Sequence, residues 1–482
     1  MKLIDFKASA LVIASVLVSA ALLAAGCSPD TPENPELTAE PEMPENPEEP
    51  EIPDNPENPD APEIQDDPDD LVYPDDGTRI RLTLFENTNL DIPYRIPAFA
   101  ACGDGTLIAV GDFRYGKGDI GNGRIDLHSR ISTNNGRSWK PEKVIVQGSG
   151  KAGHDCAFGD ASLVCDRETG EVLMMAVCGS VGYFGSTREN TIGSAEFRSN
   201  DRGRTWTEWK DRTEDIYSMF DGSSTPLAGC FITSGRIFQS RQIKVGTHYR
   251  IYLALCARPG GNRVIYSDDF GQTWKPLGGA DTLPITDGNE AKCEELPDGR
   301  VILSSRTASG RYFNIYSYSN KTTAAGSWGT AAKSGSSNYG CSTTDSFGTN
   351  GEILVLPVLE QGTGTELYIA LQSIPLGGGG VNRSNVAIYY KTLNPDPSQI
   401  TPQSFANYWT NSSTSSPFRV SETKSAYSTM DLQSDGNIGF FFEETLIGSG
   451  YNLVYTSISV EELTSNQFKL NRDKAFNKDN AL

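Results

Sequence analysis

The residues available for chemistry in this 482-residue chain are narrowed first by scarcity. Its three histidines, His128, His154 and His248, show neither zinc-like spacing nor a Ser or Cys partner pattern, so no metal and no histidine-based triad is expected. No convincing Gly-rich phosphate loop is present, and Gly377 to Gly380 reads as a flexible surface loop. Arginines, carboxylates and tyrosines remain. Tyr94-Arg95-Ile96-Pro97-Ala98-Phe99 sets an arginine against a proline at the start of a strand. Further on, Asn289-Glu290-Ala291-Lys292 and Val301-Ile302-Leu303-Ser304-Ser305-Arg306 flank Asp298-Gly299, a hairpin turn that puts Glu290 and Arg306 on adjacent strands. A planar guanidinium grips a carboxylate through two parallel hydrogen bonds. A tyrosine, with an ordinary pKa of about 10, becomes a useful nucleophile only beside a base. The chemistry open to this set is anion binding together with acid–base or nucleophilic work. Each arginine taken singly reads as a solvated surface residue.

Positioning these side chains falls to short strands. Arg79 to Glu86 alternates polar and apolar residues, as a half-buried strand does. Similar segments follow, for example Val172 to Cys178, Arg250 to Cys256, Glu352 to Val358, Val386 to Thr392 and Asn437 to Glu443, broken by Gly, Asn and Asp. No long amphipathic helix is evident before the last twenty or so residues. A turn of the form Ser-x-Asp/Asn-x-Gly-x-Ser/Thr-Trp, the Asp box, occurs at Ser132 to Trp139, Ser199 to Trp206 and Ser267 to Trp274, with a degenerate copy at Ser319 to Trp328. Its glycine permits positive φ, its Asn or Asp bonds the turn amides, and its Trp packs back between sheets. These boxes are folding devices rather than catalytic residues. Many short strands with a repeated turn point to radial repetition in an all-β propeller. The closing blade is expected to join the strand near Leu82 to those near Phe440 and Tyr455.

The Arg-Ile-Pro run followed by Asp boxes resembles the sialidase (neuraminidase) superfamily, and specifically its bacterial exo-sialidases, over roughly Arg79 to Ser459. The resemblance implies a six-bladed β-propeller that removes terminal sialic acids from glycoproteins, glycolipids and oligosaccharides without cofactor or metal. Arg95, Arg306 and Arg383 match the family's three arginines that hold the substrate carboxylate, with Arg311 the rival to Arg306. Tyr427, in Ser425-Ala426-Tyr427-Ser428, matches the nucleophile, and Glu290 its base. A neutral phenol avoids the repulsion that a carboxylate nucleophile would meet at a centre already bearing one. Asp119, in a Gly-flanked loop, matches the general acid, with Asp126 as the alternative. Arg114 and Asp160 resemble further sugar-contacting positions, and Glu443 the carboxylate that orients the first arginine. Two other functions compete. One is a trans-sialidase, including an intramolecular one releasing an anhydro sugar; the other is a non-catalytic Asp-box propeller that binds glycans or proteins.

The remaining segments speak of location. Residues 1–27 combine Lys2 and Lys7, an apolar run from Ala8 to Ala25, and an Ala25-Gly26-Cys27 end, which resembles a bacterial lipoprotein signal with Cys27 lipidated. A plain signal peptide or a short membrane anchor is the alternative. Residues 28–77 hold nineteen Asp and Glu and no Lys or Arg, with a proline every third residue from Pro41 to Pro62. Polyproline II has three residues per turn, and like charges extend it, so an acidic stalk is expected, with an acidic interaction tail as its rival. The formal net charge of -21 therefore belongs to this segment, and without a basic face nucleic-acid binding is excluded. A catalytic propeller over 78–470, a tail over 471–482, a monomer, and a lipid-anchored place in the bacterial cell envelope complete the expectation. Eight cysteines besides Cys27 leave pairings open.

Overall fold

The computed structural model describes residues 70–477, except 75–76, 90–91, 117, 345–347, 379–382, 410–416 and 449. The signal segment, Cys27 and the stalk up to residue 69 lie outside the described residues. Among those described, six sheets of four or five strands form a six-bladed β-propeller. The first blade runs outward through Tyr94–Ala101, Leu107–Arg114, Ile125–Ser132 and Lys143–Val146. The inner strands of the second, fourth, fifth and sixth blades are Phe158–Cys165, Ala291–Glu295, Ile353–Glu360 and Ser425–Leu432. The third blade is built around His248–Arg258.

The hydrophobic clusters lie between neighbouring blades. Val110, Leu127, Phe158 and Met174 join the first two, and Leu354, Leu371, Phe440 and Phe442 join the last two. Both faces of a blade are thereby covered. For that reason Val172–Cys178 reads Val-Leu-Met-Met-Ala-Val-Cys without alternation, and every residue in it is buried. Burying one such large apolar side chain contributes roughly 1.5–3 kcal/mol.

The ring closes as the sequence indicates: Arg81–Phe85 is the outer strand of the sixth blade, with Leu82 opposite Tyr455 and Phe440 opposite Thr456. Leu71–Val72, within the stretch assigned to the stalk, pairs with Ser138–Trp139, and Asp70 accepts from Lys140 Nζ at 2.7 Å. At the other end Phe468–Leu470 adds to the fifth blade and is followed by the short helix Arg472–Phe476. No helix among the described residues is long and apolar enough to cross a membrane.

The three Asp boxes share one geometry. The Ser hydroxyl accepts the glycine N–H at 2.9, 2.7 and 2.7 Å, and the Asn or Asp side chain accepts the N–H four residues on at 2.9, 2.9 and 2.8 Å. Gly136, Gly203 and Gly271 have φ of 83°, 82° and 82°. Each box joins the third and fourth strands of its blade, at the end away from where the inner strands begin. Trp139 meets Tyr455 of the closing blade edge-on, with ring centroids 5.0 Å apart. The degenerate fourth copy occupies the same place as a bulged hairpin turn, and its Trp328 donates to the Leu277 carbonyl of the preceding blade at 3.0 Å. One disulfide, Cys102–Cys165, ties the inner strands of the first and second blades. Cys156, Cys178, Cys230, Cys256, Cys293 and Cys341 are buried free thiols.

Candidate active site

At the end of the propeller where the inner strands begin, those of the first, second and sixth blades slip register against their neighbours. The slips fall between Arg95 and Ala98, between Gly159 and Ser162, and between Ser425 and Ser428. A bulge adds a residue to one strand and re-aims its side chain. Here the slips carry Arg95 with Ile96, Asp160, and Tyr427. Ile96 and Asp160 take φ of 54° and 50°, and Arg383, between two strands of the fifth blade, takes 67°. Residues other than glycine avoid this left-handed region, and holding one there costs of order 1–3 kcal/mol unless its surroundings over-determine it.

Glu443 supplies that determination for the first and sixth blades. Its buried carboxylate accepts from Arg95 Nε at 2.7 Å and from the Ile96 N–H at 2.9 Å through one oxygen. The other oxygen accepts the Tyr427 N–H at 3.1 Å. One side chain thus sets an arginine, a strained backbone and a tyrosine relative to one another.

Tyr427 donates its hydroxyl to Glu290 at 2.9 Å, and Arg306 donates to that same hydroxyl at 3.0 Å while also pairing with Glu290. The Arg383 and Arg95 guanidiniums lie 5.3 and 5.9 Å from the Tyr427 ring centroid. The three arginines named from sequence therefore converge on one phenol from the first, fourth and fifth blades. Burial and the Glu290 carboxylate push the Tyr427 phenol up from its ordinary value, while Arg306 and Arg383 oppose them. The resting side chain is a neutral phenol with a base already in hydrogen-bond reach.

Glu290 and Arg306 are neighbours because the hairpin forms as read. Ala291 faces Ser305, and the Arg306 N–H donates to the Glu290 carbonyl at 2.8 Å. The rival Arg311 lies directly across the ladder from Arg306 but engages other partners. It is wholly buried and is spent on Ser304 and on the Thr349 carbonyl. Asp126, the rival to Asp119, is also buried, accepting from Arg124 and from the Gly148 N–H at 2.9 Å.

Asp119 is 81% exposed and pairs with Arg114. Arg114 chiefly, with Arg95 and Arg383 adding and partial desolvation by the surrounding loop opposing, holds its carboxyl below the usual range. Arg114 in turn donates to Asp112 at 2.8 and 3.2 Å and lies 3.8 Å from Asp160. Burial pushes the Asp112 carboxyl up to about 6 against the pull of Arg114, and burial with the Asp112 charge pushes Asp160 well above its ordinary value. Asp112 was not singled out from sequence, yet it accepts the Asp160 N–H at 3.0 Å and so holds the second bulge. Its signal was present: Asp112 and Arg114 are two apart on one strand and share a face. Tyr451, whose ring lies 5.4 Å from the Arg95 guanidinium, left no such signal. Among the described residues no three His, Cys, Asp or Glu side chains are grouped to hold a metal ion.

Comparison with known proteins places this geometry in context. Residues 265–276 match the BNR/Asp-box repeat. The sialidase of Micromonospora viridifaciens is 32% identical over 228 residues, covering 44% of this chain and 32% of that protein. The sialidase of Paraclostridium sordellii is 28% identical over 235 residues, covering 46% of this chain and 54% of that one. The chain thus spans between a third and about half the length of these relatives. Among solved structures, Hadza microbial sialidase Hz136 matches with a TM-score of 0.59 at 19% identity, over 80% of this chain and 69% of that one. The intramolecular trans-sialidase of Ruminococcus gnavus matches with a TM-score of 0.59 at 18% identity, over 79% and 98%. In sequence over nearly half its length, and in its six-bladed fold, this chain is similar to the sialidases.

Proposed function

We propose that the protein is an exo-α-sialidase that releases terminal sialic acids from glycoconjugates with retention of configuration. The observation that carries this reading is the Tyr427–Glu290 pair, 2.9 Å apart, with three guanidiniums converging on it. Most retaining glycosidases present two carboxylates, and a phenol at this position suits a substrate whose reacting carbon carries its own carboxylate. Arg95, Arg306 and Arg383 hold that carboxylate. Tyr427 attacks the anomeric carbon as its proton passes to Glu290, and Asp119 protonates the departing oxygen. A water molecule then attacks the same carbon, giving its proton to Asp119, while Glu290 returns a proton to the Tyr427 oxygen as its bond to the sugar breaks. Arg114 and Asp160 contact the sugar, and Glu443 keeps Arg95 and Tyr427 in register.

In the resting site Asp119 is held as a carboxylate by Arg114, so its acid role requires a proton as the glycan covers it. Desolvation by the leaving group supplies the upward shift. A transferase would use the same site, with an acceptor hydroxyl, or the sugar's own, in place of water. Export, lipidation at Cys27, a monomeric state and an envelope location complete the proposal and rest on the sequence alone.

The test is release of a phenol from an aryl sialoside by residues 70–482, without added metal. Tyr427→Phe is expected to lose at least about 100-fold in kcat, as removal of a nucleophile does. Full turnover by that variant would sink the mechanism. Product analysis separates free sialic acid from an anhydro or transferred sugar.

A further inference from the structure

A second aromatic feature is built from residues not used in this site, on the segments that lead into the strands Ile353–Glu360 and Phe418–Arg419 of the fifth blade. Tyr339 and Tyr408 are 50% and 69% exposed, and their rings lie 12° from parallel with centroids 6.1 Å apart. Both residues take the left-handed backbone, φ 55° and 57°. The two segments that carry them are laced together. Tyr408 N–H donates to the Asn338 carbonyl at 3.1 Å, Trp409 N–H to the Tyr339 carbonyl at 2.8 Å, and Asn338 Nδ2 to Asn407 Oδ1 at 2.7 Å. Two large aromatic residues are thus held at a backbone cost, facing water, on a scaffold of fixed geometry.

Tyr408 also lines a groove of about 750 Å³ with Tyr390, Trp409, Gln399, Ser465 and Gln467. No Asp or Glu lines it, and its one basic residue, Lys391, is taken up by the carbonyls of Ser404, Phe405 and Asn407. Apart from that engaged ammonium, the described lining carries no charged side chain; it is aromatic and apolar, and furnished with hydroxyls and amides. A pyranose ring matches this: its C–H face stacks on an aromatic plane, and its hydroxyls exchange hydrogen bonds with Ser, Tyr and Gln. An anionic ligand or an acidic peptide would find no free cation there among the described lining residues.

We infer that Tyr339, Tyr408 and the groove beside them form a second carbohydrate-binding site, for neutral hexose units of a glycan chain. The inference rests on the sialidase reading in one respect, that glycans are what this protein meets. Bound there, a branched or clustered glycan would be kept close to the protein between turnovers, raising the effective concentration of its remaining ends.

The full chain and its Tyr339→Asn/Tyr408→Asn variant are compared for retention on immobilised mucin stripped of sialic acid, and for turnover of an aryl sialoside. Asparagine tolerates the left-handed backbone, so the scaffold is preserved. Wild-type retention, an affinity about tenfold lower in the double variant, and unchanged aryl sialoside turnover are expected. Tyr339→Phe/Tyr408→Phe keeps the ring faces and is expected to be retained. A wild-type protein that does not bind the stripped mucin, or an Asn variant that binds it equally, overturns the site. Absence of turnover in the wild type strikes at the catalytic reading alone, because retention needs no turnover.

Discussion

Glu443→Gln isolates the carboxylate on which the site's geometry hangs. The substitution conserves shape and removes charge. One Glu443 oxygen accepts from Arg95 and Ile96 and the other from Tyr427, at 2.7, 2.9 and 3.1 Å. A glutamine oriented to serve the first two keeps both contacts with a neutral acceptor in place of a charged one, each weaker by about 1 kcal/mol. Its amide group then faces the Tyr427 N–H donor to donor, and an orphaned buried donor costs about 1–3 kcal/mol. The sum is about 3–5 kcal/mol, which for a domain of this size is a fall of about 5 °C in Tm. The larger effect falls on chemistry. Displacing Tyr427 or Arg95 by about 1 Å costs about 100-fold in rate. Calorimetry and kcat/KM on an aryl sialoside read the two effects separately. A variant that kept both Tm and kcat/KM would refute the reasoning. One that lost Tm alone would refute the positioning role and leave Glu443 a purely structural group.

Asp119→Asn is expected to lose about 10²–10⁴-fold on natural glycans, whose departing oxygen needs a proton, and far less on an aryl sialoside with an acidic phenol, as paired kinetics would show. Replacing Cys102 and Cys165 with serine opens a 63-residue loop in the denatured chain, and stability is expected to fall by about 4 kcal/mol, measured by denaturant unfolding with and without reductant. The His154–Asp211 pair makes stability depend on pH from both sides. The hydrogen bond to Asp211, opposed by burial, raises His154, so its contribution is present below about 6.5 and is lost as pH rises through the folded value. Burial raises the Asp211 carboxyl, but hydrogen bonds from His154 and Thr213 outweigh it and hold it at about 2; its contribution is lost as pH falls from about 4 toward that value. His154→Gln is therefore expected to flatten the fall in Tm between about pH 6 and pH 8.

Local devices were legible in the sequence because their physics is local. An Asp box closes on itself within eight residues, so Ser132 to Trp139 announces its turn without reference to the rest of the chain. Covered blades leave apolar runs such as Val172–Cys178, and Asp298-Gly299 announces the hairpin that brings Glu290 beside Arg306. The order of these devices along the chain sufficed for an all-β propeller closed by its first strand.

Long-range choices were not legible in the same way. Arg306 and Arg311 face each other in one ladder, and either type of side chain could grip an anion. Only packing sends Arg311 into the interior, where burial pulls its guanidinium down to about 10, and leaves Arg306 on Glu290 and Tyr427. The Arg95–Glu443 bond joins residues 348 apart; the family resemblance pointed to it, because no local pattern reports a contact of that span. Local pattern is equally silent on the Cys102–Cys165 pairing, on Asp112 beneath the Asp160 bulge, and on Tyr339 beside Tyr408. Short-range hydrogen bonding writes turns and strands into neighbouring residues. The direction in which each charged side chain finally points is decided only when the blades close into a ring and desolvate one end of it relative to the other.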